Sequence, residues 1–268
     1  MTTAPATPPM SMPRLLARGL RAAVNHLTRI PAGGFPYSDD EWTWATACLP
    51  MVGAAIGALA AGVWVATSRA GHLVSAILVV GATAWLTGAI HEDGLADTAD
   101  ALGGGRDRAR ILAILKDSRI GAFGAVALVV ALHLRVALPA RLGATAPLAL
   151  VLAGAASRLG PVWLMGALSY VTSPDVAKSA PLVGVRRVHV AFATSSLFLL
   201  SCALWASGAF RLVDLALVWA SIAGVTFVLG WQFHKRVGGI TGDFLGAAQQ
   251  VSECAMLLAL GLSRGDPA

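Results

Sequence analysis

Long apolar runs separated by short polar connectors dominate the chain. Six of them, at 44–67, 72–90, 120–138, 144–170, 188–209 and 212–233, are nearly free of charge. Each is long enough to cross about 30 Å of hydrocarbon as a helix. A seventh, 244–262, is interrupted by Gln249, Gln250 and Glu253, so its pattern leaves open whether it spans or lies flat. Gly and Ala recur through the runs, which suits helices that approach closely where lipid supplies no hydrophobic drive. Residues 1–13 are Thr, Ala, Pro and Met with little else, carry no charge before Arg14, and read as disordered. From Arg14 to Arg29 the pattern changes: Arg14, Arg18 and Arg21 fall within about 60° on a helical wheel, opposite Leu16, Leu20, Ala23 and Leu27. That predicts a helix lying in the membrane interface. The expected architecture is all-α: a polytopic membrane bundle of about six to seven transmembrane helices, with 14–268 forming one membrane-embedded domain.

Composition narrows the class further. Of 268 residues, 56% are hydrophobic and 13% charged, with a mean hydropathy of +0.70. Disorder, a nucleic-acid-binding arm and a disulfide-stapled secreted domain are excluded. The lipid bilayer is the first expected partner, and no nucleic acid is expected. The net charge of +6 therefore reports orientation before it reports a ligand. Alternate connectors hold fourteen basic residues: Arg14, Arg18, Arg21, Arg29, Arg106, Arg108, Arg110, Lys116, Arg119, Lys178, Arg186, Arg187, Lys235 and Arg236. The intervening connectors and tail hold four: Arg69, Arg141, Arg211 and Arg264. The positive-inside rule then places the N-terminus in the cytoplasm, and most carboxylates lie on the same side. Cys48, Cys202 and Cys254 each sit in an apolar run without a CxxC or Cys/His cluster, so any bound metal must be held by oxygen.

The densest polar stretch, HEDGLADTADALGGG, runs from His91 to Gly105 after the second apolar run. Asp93, Asp97 and Asp100 are spaced i, i+4, i+7 and share one edge of a helix. Like charges so placed repel, and the natural compensation is a hard divalent cation, Mg2+ or Mn2+, that also holds substrate phosphates. About a dozen residues later, LKDSRIGAFG supplies Lys116 and Arg119 beside Asp117, with Gly121 and Gly124 permitting close approach. An anionic substrate fits such a place. A third element, KRVGGITGDFLGAAQQVSE, offers a turn through Gly238, Gly239, Thr241 and Gly242 suited to phosphate, then Asp243 at a helix start. Glu253 inside the marginal run is expensive unless it faces the bundle interior, and it counts as a site candidate. Arg158, Arg135 and His133 also lie inside apolar sequence; Arg158, the deepest, calls for a buried carboxylate or a substrate phosphate. His26, His72, His189 and His234 read as interfacial, without assigned chemistry.

These motifs, together with LTRIP at Leu27–Pro31, resemble the cobalamin synthase family, the adenosylcobinamide-GDP ribazoletransferases of vitamin B12 assembly, over residues 20 to 260 or so. The family's first motif has a hydrophobic residue between His and Asp-Gly; here Glu92 stands in that place, its role unassigned. The resemblance implies a bacterial inner-membrane enzyme with a cytoplasm-facing site. It would join adenosylcobinamide-GDP to α-ribazole or α-ribazole 5′-phosphate, release GMP and require Mg2+. On that reading Asp93, Asp97 and Asp100 hold the metal against the diphosphate, while Lys116, Arg119 and Arg158 stabilise charge on departing GMP. Asp243 completes the metal site or orients the ribose, and His91 or one of the aspartates is the base. The acceptor's phosphorylation and any homo-oligomer or association with other corrinoid-assembly enzymes stay open. CDP-alcohol phosphotransferases also begin an Asp-rich membrane motif with Asp-Gly, but expect Ala-Arg next and more distant aspartates. UbiA-like prenyltransferases begin theirs with an Asn that is absent here. A transporter would use Arg158 and Glu253 as coupling charges, but no inverted repeat is visible.

Overall fold

The structure, a computed structural model, describes residues 11–171 and 184–264, and within them the apolar runs are helical, with one isolated bridge in place of any strand. The helices are α1 (Met12–Leu27), α2 (Asp39–Ala47), α3 (Leu49–Thr67), α4 (His72–Thr87), α5 (Ile90–Gly104), α6 (Arg108–Ile114), α7 (Ala122–Leu142), α8 (Ala146–Ala156), α9 (Leu159–Ala167), α10 (Arg187–Ala206), α11 (Leu212–Val237) and α12 (Gly242–Arg264). Met12 and Pro13, expected to be disordered, open α1, because proline suits a helix's first turn. The rest of the expected disordered stretch, up to residue 10, lies outside the described residues, as do Asp175 and Lys178.

The first apolar run is shorter than its sequence suggests. Ser38 and Glu41 form a capping box that starts α2, so Trp44 belongs to that helix, and α3 begins after Cys48 at Leu49-Pro50. Glu41, 2% exposed, pairs with Arg18 of α1 and accepts from the Ser38 N–H at 2.8 Å. Arg18 also donates to the carbonyls of Gly34 and Pro36, both at 3.0 Å. The interfacial helix is therefore tied to the bundle through one ion pair and the loop it organises.

By length and hydropathy, five helical stretches among the described residues qualify to cross a membrane, or six when α4 and α5 count as one broken span. One of the five, Ala122–Ala167, has 46 residues, about twice what the hydrocarbon needs at 1.5 Å per residue. Gly143, with φ 55°, breaks it between α7 and α8. One face of the bundle carries Asp100 against the start of α7, the Tyr170–Ile240 bridge, and Arg108 on the Val237 carbonyl. The other carries His72 beside Gly143, and Asp214 with Arg211 and Arg264. Between these faces α3, α4, α7, α8 with α9, α10, α11 and α12 alternate in direction, and α12 passes fully from one to the other. The seventh run, left open by its sequence, thus joins the bundle.

Glycines set the closest crossings. A methyl group on Gly53 of α3 would overlap the Gly154 carbonyl of α8, and one on Gly57 would overlap the Leu150 carbonyl. At the end of α4, Gly88 and Ala89 are both left-handed (φ 67° and 57°), and the chain turns by 90° into α5. The left-handed Ala89 costs about 1–2 kcal/mol relative to ordinary backbone. LTRIP buttresses this elbow: the Arg29 N–H donates to the Leu86 carbonyl at 2.8 Å.

Two outcomes follow. Gly53→Val should lower stability in detergent by at least about 1–3 kcal/mol through overpacking, read as a fall in Tm; an unchanged Tm would contradict the α3–α8 contact. Burial pushes the Glu41 carboxyl up, but Arg18 and the Ser38 N–H outweigh it and hold it below its ordinary value. Its stabilising contribution is therefore complete above the unfolded value of about 4.3 and is lost as pH falls below it. Trp42 fluorescence should report acid loosening of α1 from α2, and Glu41→Gln should remove that pH dependence.

Candidate active site

The 90° elbow lays α5 so that Gly94 meets the start of α12. A Cβ on Gly94 would lie 2.8 Å from the Asp243 carbonyl oxygen and 3.2 Å from Gly246 Cα. Only a glycine lets the two motifs touch. Thr241, 1% exposed, caps α12 by accepting from the Phe244 N–H at 3.3 Å, while Phe244 stacks on Phe233 at 4.1 Å. These contacts place the start of α12 against α5.

A cavity of about 280 Å3 opens at this junction, lined by His26 and Leu27 of α1, His91 and Asp93 of α5, Arg158 between α8 and α9, and Gly242, Asp243 and Gln249 of α12. Asp93 is exposed and His91 is 7% exposed. The cavity thus joins acids, two imidazoles and a buried guanidinium, a set able to hold a phosphorylated ligand and move a proton. His26 sits edge-on to Trp42 at 6.3 Å, and burial lowers its pKa, favouring the neutral ring.

The acidic stripe is helical, as its spacing predicts, but its members have different surroundings. Both carboxylate oxygens of Asp100 accept backbone N–H groups at the start of α7, from Gly121 at 2.7 Å and Gly124 at 2.9 Å. A side chain on either glycine would overlap that carboxylate. Gly121 and Gly124 thus admit the chain's own carboxylate, which occupies the helix N-terminus where an anion is most favoured. Asp97, half-buried, lies one turn from Asp93. Among the described residues no three His, Cys, Asp or Glu side chains converge as a metal cage. Of the three aspartates, Asp93 lines the cavity together with Asp243, whereas Asp100 caps α7.

Several other candidates lie outside the cavity lining. Lys116 is exposed, and Asp117 and Arg119 pair with each other in solvent at 2.7 Å. Their hydrogen bonds and charge bring the Asp117 carboxyl down to about 2. Gly239 packs on the Ser169 carbonyl, and Ile240 exchanges backbone bonds of 2.9 Å with Ser169 and Val171. The glycine turn is thus largely committed to the segment after α9; of its residues, Gly242 reaches the cavity.

Beneath the cavity lies a buried polar cluster. Arg135 Nη1 donates to Glu92 Oε1 at 2.6 Å and Nε to Glu253 Oε1 at 3.0 Å. Nη2 reaches Thr83 Oγ1 and Nη1 reaches Gln250 Oε1, each at 3.3 Å. Gln249 donates to Glu253 at 2.8 Å and to Ser157 at 2.9 Å. Glu253 faces the interior, as its cost in lipid requires, but as Arg135's partner rather than a ligand group lining the cavity. Glu92 is the second partner, which accounts for a charge where the family's motif has an apolar residue. His133, by contrast, is exposed, with its Nδ1 against the Val129 carbonyl of its own helix.

His26, Gln249 and the double pairing of Arg135 were not legible beforehand. The available signal for Arg135 was charge matching: two acids, Glu92 and Glu253, in apolar surroundings need a cation in the same layer.

The fold and cavity define a polytopic, all-helical membrane enzyme whose polar site sits at one face. A sequence profile described as cobalamin-5-phosphate synthase matches residues 19–261. Adenosylcobinamide-GDP ribazoletransferase of Leptothrix cholodnii is 40% identical over 90% of this chain and 94% of its own length. Its namesakes from Bradyrhizobium diazoefficiens (39% identical, 89% of this chain and 91% of that protein) and Shewanella frigidimarina (37%, 90% and 94%) are similar throughout. No solved structure matches. The chain belongs to the cobalamin-5-phosphate synthase family, and is accordingly a transferase of cobalamin synthesis.

Asp100→Ala should destabilise the protein by about 1–2 kcal/mol, the usual effect of losing a helix cap. Amide exchange should rise first at residues 121–125; unchanged exchange there would argue against the capping role.

Proposed function

We propose that the cavity between α5 and α12 joins adenosylcobinamide-GDP to α-ribazole, or to α-ribazole 5′-phosphate, with release of GMP. The observation that carries this reading is the convergence of the two motifs: His91 and Asp93 from one and Asp243 from the other line a single cavity with Arg158. In the transfer, a ribose hydroxyl oxygen of the acceptor forms a bond to the cobinamide-linked phosphorus. The bond from that phosphorus to the oxygen bridging to GMP breaks, and the hydroxyl proton leaves to a base. His91 is the base, since it is largely buried and lines the cavity beside Asp93. Arg158 holds phosphate charge from within the cavity, and Asp243 orients the acceptor.

Asp93 and Asp243 fit Mg2+, because this ion commonly takes one or two protein carboxylates and completes its shell with water and substrate phosphates. Asp97 adds a third oxygen donor one turn away, whereas Asp100 is occupied by backbone N–H groups. The ion would neutralise diphosphate charge. Lys116 and Arg119, exposed on the same face, meet the substrate outside the cavity. This face is the cytoplasmic one of a bacterial inner membrane, since the basic connectors gather there.

Purified protein in detergent, given adenosylcobinamide-GDP, α-ribazole and Mg2+, should release GMP. Asp93→Asn and Asp97→Asn should insert and fold, yet lower turnover by on the order of 10² or more. Asp100→Asn should leave the apparent Mg2+ requirement unchanged while lowering Tm. Near-normal turnover of folded Asp93→Asn would end the metal assignment.

A further inference from the structure

Arg158 is 5% exposed; among the described residues its Nη1 donates to the Gly154 carbonyl at 2.9 Å, and its buried Nε has no partner. Among the described residues it makes no ion pair, although Glu92 and Glu253 lie in the same polar layer and line the same narrow pocket of about 30 Å3. Both of those carboxylates are drawn to Arg135. A guanidinium buried without an ion-pair partner is costly in a membrane bundle, and it is retained where a ligand supplies the missing charge. Gly53 makes the placement possible, because a Cβ there would lie 2.7 Å from Arg158 Cδ.

We infer that Arg135 is a positioning residue: by holding both Glu92 and Glu253 in direct ion pairs it leaves Arg158 without one, so that Arg158 can seat a phosphoryl group of the ligand in the cavity. This deepens the proposed transfer and rests on it for the identity of the ligand. The polarity follows from the charges. Two acids and two bases share the layer, and the arrangement assigns both acids to one base, so the other presents its charge to the cavity. A Glu253 released from Arg135 would turn to Arg158, the remaining buried cation, and neutralise the seat. Two phosphate monoesters carry the required chemistry, GMP and α-ribazole 5′-phosphate.

The test is equilibrium binding to the full-length protein in nanodiscs, with GMP, α-ribazole 5′-phosphate and unphosphorylated α-ribazole as separate probes. Arg158→Gln should weaken at least one phosphate monoester tenfold or more and leave α-ribazole unchanged; whichever monoester is weakened identifies the group seated. Arg135→Gln should weaken the same monoester, and Arg135→Gln/Glu92→Gln/Glu253→Gln, which leaves neither acid to neutralise Arg158, should recover affinity to within about threefold of wild type. Glu253→Gln alone, which keeps the Arg135–Glu92 pair, should bind that monoester more tightly than wild type, and this arm holds even where Arg135→Gln fails to fold. Unchanged binding of both monoesters by Arg158→Gln, or weaker binding by folded Glu253→Gln, would overturn the inference. Absence of GMP release from the two substrates, with these affinities as expected, would instead overturn the assigned reaction and leave the phosphate seat standing.

Discussion

Arg135 ties the bundle together at the depth where water cannot. Its guanidinium reaches Thr83 of α4, Glu92 of α5, and Gln250 and Glu253 of α12, and Gln249 extends the cluster to Ser157 at the end of α8. In hydrocarbon each of these groups must find its partner inside the protein. Removing one member of such a buried pair typically costs about 3–5 kcal/mol, because the survivor is left charged and alone. The cluster therefore fixes the relative placement of the same helices that carry the cavity above it.

Around that cluster, shape is set by residues too small to obstruct. Gly94 and Gly246 bring α5 against α12, Gly53 and Gly154 bring α3 against α8, and Gly121 and Gly124 admit the Asp100 carboxylate. The left-handed pair Gly88-Ala89 then turns α5 away from the path of α4. A transmembrane helix continuing straight would carry the acidic stripe away from α12. The elbow instead holds His91 and Asp93 beside Asp243, and the LTRIP segment braces it through Arg29. Strain at one residue is thus coupled to the placement of the site.

Much of this was legible from the chain. Periodicity and hydropathy mark the apolar helices, and the i, i+4, i+7 spacing puts Asp93, Asp97 and Asp100 on one helical edge. Their division of labour was not legible: Asp100 looks equivalent to Asp93 until Gly121 and Gly124 are seen beside it. Glu253 was recognisable as an interior charge, but a partner more than a hundred residues away is invisible to local patterning. The marginal run at 244–262 reads as doubtful because Gln249, Gln250 and Glu253 lower its hydropathy, and those residues are the ones that bind it into the bundle.

What the amino-acid order determined unaided was the solvent: a chain so apolar, with charge segregated to alternate connectors, can satisfy its backbone only as membrane helices. It also determined the family, through several motifs in the right order. Tertiary structure decided which acid faces the cavity, which caps a helix and which neutralises Arg135. A carboxylate's task depends on the nearest N–H or cation, and in this fold those donors arrive from helices distant in sequence.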